Sequence, residues 1–106
     1  MKAKELLVLR QVAVDLQQGK QFYDGNQKGI GDYFFDSLVA DIESLRLYAG
    51  IHSKHFGLYR MLAKRFPFAI YYEVLETTAI VIAVLDLRRN PAWIRQQLNR
   101  DIDGFN

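Results

Sequence analysis

Apolar positions change their spacing several times along this chain, and each change marks a new element. Leu6, Leu7, Val8 and Leu9 follow one another without interruption inside Glu5–Arg10, which reads as a short strand. From about Gln11 the spacing becomes helical, with Val12, Ala13, Leu16 and then Tyr23 on one face. Gly19 weakens that helix by about 1 kcal/mol relative to alanine. Asp24–Gly29, which holds two glycines and an asparagine, reads as a turn. Beyond it, Ile30, Phe34, Leu38, Ile42 and Leu45 recur at steps of three and four, with Val39 and Ala49 close to the stripe. Asp32 and Asp36 near the start and Arg46 near the end suit the helix dipole, and Gly50 is the expected terminator. Two helices joined by a short turn predict an antiparallel hairpin.

After Gly50 the period drops to two. Gly57–Ala63 reads as a strand with Tyr59, Met61 and Ala63 on one side and Leu58, Arg60 and Leu62 on the other. Phe68–Leu75 is a second strand, dividing Phe68, Ile70, Tyr72 and Val74 from Ala69, Tyr71, Glu73 and Leu75. Thr78–Leu85 is almost continuously aliphatic, which predicts a central strand covered on both faces. The short Glu76-Thr77 link favours antiparallel pairing of the last two strands. Pro91 suits the first turn of a short helix over Ala92–Leu98. The order β-α-α-β-β-β-α predicts an α+β fold. It consists of an N-terminal strand, an antiparallel helical hairpin packed on one face of a small, mainly antiparallel sheet, and a short C-terminal helix.

Composition narrows the function classes. The 106 residues contain no cysteine, which excludes a disulfide framework, a thiolate zinc site and thiol catalysis. The longest apolar run, Ala79–Leu85, is far short of the ~20 residues that span a bilayer. Leu6–Leu9 is likewise too short for the apolar region of a secretory signal. No repeat or linker divides residues 1–106, so a single cytoplasmic domain with no membrane partner is the expectation. The net charge of +2 conceals an asymmetry. Residues 51–100 carry eight Lys/Arg against three Asp/Glu, whereas residues 1–50 carry six against seven. Positive charge gathered in one half points to an anionic partner, its plain alternative being a solvated face.

Four segments then carry a resemblance. Gly57–Val74 runs from a strand bearing Arg60 through Arg65-Phe66-Pro67-Phe68 into a strand with Tyr71-Tyr72. Ile80–Trp93 runs from an aliphatic strand into Arg88-Arg89-Asn90-Pro91 and Trp93. Ala13-Val14-Asp15-Leu16 and Gly29-Ile30-Gly31-Asp32-Tyr33-Phe34 stand near the starts of the two hairpin helices. In this order, over roughly residues 6–98, the chain resembles the RelE/ParE family of bacterial toxins from type II toxin–antitoxin systems. The resemblance implies a toxin neutralised by a cognate antitoxin whose extended or helical tail wraps it. One branch of that family cleaves messenger RNA on the ribosome without a metal. Another makes no covalent chemistry and poisons DNA gyrase. A degenerate, non-toxic interaction module of the same fold is a further alternative. None of these readings requires a cofactor.

An RNA-cleaving site needs a general base, a general acid and cations over the phosphate. Arg60, Arg88 and Arg89 are the candidate catalytic cations, since guanidinium groups can hold phosphate bidentately. His55 and Asp86 are the candidate acid and base, with His52 as the only other histidine. Lys54, Lys64, Arg65 and Trp93 are candidates for RNA or target binding, and Trp93 or Tyr59 could stack on a base. His52 and His55 fall in the loop entering the sheet, and no cysteine or nearby carboxylate completes a metal set with them. The chain departs from the cleaving branch at two places. Ala69 stands where ribosome-dependent members place a cation, and Asp86-Leu87 where some members carry a catalytic histidine or arginine. The incomplete acid–base set tilts the expectation toward action without RNA cleavage, or toward a degenerate toxin with neither activity.

Overall fold

The sheet is buried on both faces, and the strand sequences explain why. The computed structural model describes residues 2–105, with side-chain surroundings for residues 2–99. Five strands lie in the order β1-β5-β4-β3-β2. These are β1 (Glu5–Val8), β2 (Lys54–His55), β3 (Leu58–Leu62), β4 (Phe68–Leu75) and β5 (Thr78–Asp86). β1 pairs with β5 in parallel, and every other pairing is antiparallel. Among the described residues the helices are α1 (Arg10–Asn26), α2 (Ile30–Glu43), α3 (Leu45–Tyr48) and α4 (Pro91–Phe105). The expected α+β architecture is therefore the observed one, with β5 central as its unbroken aliphatic run required.

The α1–α2 hairpin covers one face of the sheet, where Val12, Leu16, Phe34, Leu38 and Ile42 meet Met61, Phe68, Ile70, Tyr72 and Val81. Helix α4 covers the other, where Ile94 and Leu98 meet Ala69, Tyr71, Ile82 and Leu85. Alternation along β4 assigns these two sets as read from the sequence. Along β5 the alternation slips once, because the pairing jumps from Tyr71↔Ala83 to Tyr72↔Val81. Ile82 is the extra residue of this bulge, so Ile82 and Ala83 both face α4. The Val84 N–H beside the bulge donates to buried Asp15 Oδ2 at 3.1 Å.

Four details correct the sequence reading. Helix α1 continues through Gly19 and Gly25 to Asn26 rather than ending in a turn at Asp24. Gly19 is a packing residue: a Cβ there would lie 2.4 Å from Phe34 Cζ. At the same crossing a Cβ on Gly31 would lie 2.5 Å from the Lys20 carbonyl, and the Gly31 N–H donates to Asp24 Oδ1 at 2.7 Å. Both glycines let the helices approach closely, and that contact outweighs the propensity cost. The second helix divides at Ser44, whose hydroxyl bonds back to the Asp41 carbonyl at 2.6 Å. Lys54 and His55 form a strand, not a loop, through a two-residue hairpin in which Phe56 and Gly57 have φ of 56° and 82°. Finally, α4 starts at Pro91 and runs past Leu98 to Phe105, with Asn90 Oδ1 accepting the Trp93 N–H at 2.8 Å as its N-cap.

Candidate functional site

The register carries several of the charged candidates to one end of the sheet. Phe68 at the start of β4 pairs with Asp86 at the end of β5, and the Leu87 N–H donates to the Pro67 carbonyl at 2.9 Å. The β3–β4 turn with Lys64 and Arg65 therefore runs beside the β5–α4 link with Arg88 and Arg89. Asp86 is gripped by Arg88. Its Oδ1 accepts the Arg88 backbone N–H at 2.8 Å and Nε at 2.9 Å, and Oδ2 accepts Nη2 at 2.7 Å. Burial alone would raise the Asp86 carboxyl, but the Arg88 bonds hold it below the ordinary aspartate value. The same pairing raises Arg88.

Aromatic rings frame this pair. The Arg88 guanidinium lies 5.6 Å from the Phe22 ring centroid, and that of Arg89 sits 4.0 Å over Trp93. Tyr23 stands beside Arg88, its phenol raised chiefly by burial. Between α1 and the sheet lies a recess of 190 Å³ lined by Gly19, Phe22, Phe68, Asp86, Arg89 and Trp93, among others. Arg88 is thus neutralised in place, whereas Arg89 keeps a guanidinium stacked on an exposed edge of the recess.

The remaining candidates lie elsewhere. His55 is on β2, its Nε2 3.2 Å from Ser53 Oγ, two strands beyond β4 and away from Arg88 and Arg89. Lys54 lies over the Tyr59 ring at 4.9 Å, and Tyr59 stacks on Tyr72. Arg60 stands near Tyr71, whose phenol is raised by burial and partly offset by that guanidinium. The Tyr71 hydroxyl is buried with no hydrogen-bond partner among the described residues. The sequence-derived set Arg60, Arg88, Arg89, His55 and Asp86 is therefore not gathered around one point. Asp86, Arg88, Arg89 and Trp93 come together, with Lys64 and Arg65 at the same end of the sheet.

A second, larger groove of 650 Å³ opens between α2, α3 and the edge of β3. His52 on its wall meets the Tyr72 hydroxyl through Nδ1 at 2.5 Å, and that hydroxyl also accepts the Gly50 N–H at 2.9 Å. A neutral imidazole with its proton on Nε2 accepts the phenol proton at Nδ1 in this geometry. Burial lowers the His52 pKa and favours this neutral ring. Among the described residues no group of three metal-ligating side chains occurs, and no helix is long and apolar enough to cross a membrane.

Neither a protein-family model nor a curated protein sequence matches the chain. Among solved structures it is similar to a chain of the chromosomal ParDE toxin–antitoxin system from P. aeruginosa, with a TM-score of 0.71 and 18% sequence identity. The match covers 78% of this chain and 95% of that one. The chain has the RelE/ParE-type toxin fold.

Within that RelE/ParE-type fold, sequence reasoning missed three contributors to the recess. Phe22 and Gly19 lie on α1, far along the chain from Arg88, and only the helix crossing carries them to the β5 end. Asp15 was marked by its Ala-Val-Asp-Leu segment, but its role at the bulge depends on a register that no local pattern reveals.

Proposed function

We propose that the chain is the toxin subunit of a type II toxin–antitoxin pair, held inactive by a cognate antitoxin, and that it acts by binding its target rather than by cutting RNA. DNA gyrase is the target this reading favours. The RelE/ParE-type fold and the ParDE relative support the class. The observation that carries the mode of action is the Asp86–Arg88 clamp, with Nη2 to Oδ2 at 2.7 Å. It spends the nearest carboxylate and one of the two arginines on each other, while both histidines stand away from that end of the sheet. General acid–base cleavage needs a proton acceptor and a donor within reach of one phosphate. A binding site needs only charge, stacking and a recess, and Arg89, Trp93 and Phe22 supply them.

Induced expression in a bacterial host tests the reading. The expected outcome is growth arrest with DNA breaks and an intact message pool, relieved when Arg89→Ala and Trp93→Ala are combined. Normal growth of the induced host would refute it.

A further inference from the structure

Helix α2 carries a buried carboxylate that the fold uses on one side only. Asp41 is 4% exposed, and its Oδ2 accepts the Lys64 N–H at 3.1 Å. No described residue donates to its Oδ1. Among the described residues, the Tyr71 hydroxyl is the only polar side-chain atom that is both sealed from solvent and unpaired. Asp41 Oδ1 is therefore not sealed, and its way out is the 650 Å³ groove that Asp41 lines between α2, α3 and β3. A carboxylate oxygen withdrawn this far from water rewards any ligand that brings it a donor.

The rest of the groove supplies complementary chemistry. Arg60 and Lys64 line it, and the ion pairs among the described residues involve neither. Tyr48 and Ile51, which are 52% and 64% exposed, give it an apolar wall, and His52 lines it beside them. The volume falls within the ~300–1,000 Å³ range of small-molecule sites. A fixed acceptor, an apolar wall with an aromatic ring and two cations suit a ligand that joins a planar, donor-bearing ring to a phosphate.

Among nucleobases the donor pattern decides. Guanine presents its N1–H and its N2 amino group side by side, two donors for a carboxylate that can only accept. Adenine and cytosine set a ring acceptor beside their amino group, and uracil flanks its N–H with carbonyls. Each of those three turns a lone pair toward Asp41. We propose that the groove binds free guanosine monophosphate, with guanine donating to Asp41, its ring against Tyr48 and its phosphate on Arg60 and Lys64. The inference goes beyond the toxin reading, because this groove shares no lining residue with the Arg89–Trp93 recess. The growth experiment and a nucleotide titration can each fail alone.

The test titrates the isotope-labelled chain with GMP and follows backbone amides by NMR. GMP is expected to shift Asp41, His52 and Lys64. AMP, IMP (which lacks the N2 amino group) and guanosine (which lacks the phosphate) should each bind about tenfold more weakly or worse. In Asp41→Asn the amide oxygen stays on the Lys64 N–H and the amide nitrogen turns to the groove. That variant should lose GMP and prefer xanthosine monophosphate, which has a carbonyl in place of the N2 amino group. Arg60→Ala combined with Lys64→Ala should bring GMP down to the level of guanosine, with buried Asp41 left in place. The proposal is overturned if AMP or IMP binds the parent chain as tightly as GMP, or if Asp41→Asn folds and still prefers GMP. It is equally overturned if millimolar GMP shifts nothing in the groove, or if its shifts map to Arg89 and Trp93. Tighter binding of the RNA single strand UUGUU than of GMP would assign the groove to RNA and overturn it too.

Discussion

Gly19→Ala sets two effects of opposite sign against each other. Alanine in a helix interior is favoured over glycine by about 1 kcal/mol, so on propensity alone the variant gains stability. In the folded chain the new carbon stands 2.4 Å from Phe34 Cζ and 2.5 Å from Cε1. Phe34 is fully buried, and its ring packs 5.1 Å from Tyr23, 5.1 Å from Phe66 and 4.9 Å from Phe68. It cannot retreat without displacing three other rings. Overpacking of this kind costs about 1–3 kcal/mol, and the confinement of Phe34 points to the upper part of that range. The net expectation is a loss of about 2 kcal/mol, which for a domain of this size lowers Tm by roughly 8–15 °C. Thermal unfolding followed by circular dichroism measures it. Gly25→Ala, on the same helix with no atom within 4 Å of the new Cβ, should instead gain about 0.5 kcal/mol. If Gly19→Ala is as stable as the parent, or more so, the close-approach account of the hairpin is wrong.

Other consequences follow from the polar contacts. Asp15→Ala strips the Val84 N–H of its acceptor beside the β5 bulge and should cost about 1–3 kcal/mol in urea unfolding, with faster exchange of the Val84 amide. Tyr72→Phe leaves the Gly50 N–H and His52 Nδ1 unpaired, with a cost of similar size and a displaced His52 ring signal by NMR. Because burial depresses His52, the folded chain binds its proton less readily than the unfolded one. Stability should fall as pH drops below the ordinary histidine value, and His52→Gln should remove that step. Asp86 is also depressed, so its contribution is complete at neutral pH and lost as pH falls through the aspartate range. Asp86→Asn should flatten the acid limb of the stability profile.

Periodicity carried most of the fold. The three long strands, both hairpin helices and the division of β4 between two cores all follow from positions two or three-to-four apart. What stayed hidden depends on contacts distant in sequence. Gly19 and the Asp24–Asn26 stretch read as helix-weakening until Phe34 and Gly31 are seen across the hairpin. β2 escaped notice because its turn puts a phenylalanine at positive φ, where local preference argues against one. Arg88 and Arg89 look equivalent in sequence, yet one is clamped by Asp86 and the other stacks on Trp93. The two histidines sit close together in the chain but serve different neighbours, Tyr72 and Ser53.

The central claim is action by binding at the Arg89–Trp93 end of a RelE/ParE-type fold, without RNA cleavage. The most direct measurement adds the purified chain, in parallel, to ribosomes translating a defined message and to DNA gyrase with supercoiled plasmid. The account predicts trapped, broken plasmid, loss of that effect in the Arg89→Ala/Trp93→Ala variant, and full-length message. Codon-proximal cuts in the message with undamaged plasmid would contradict it.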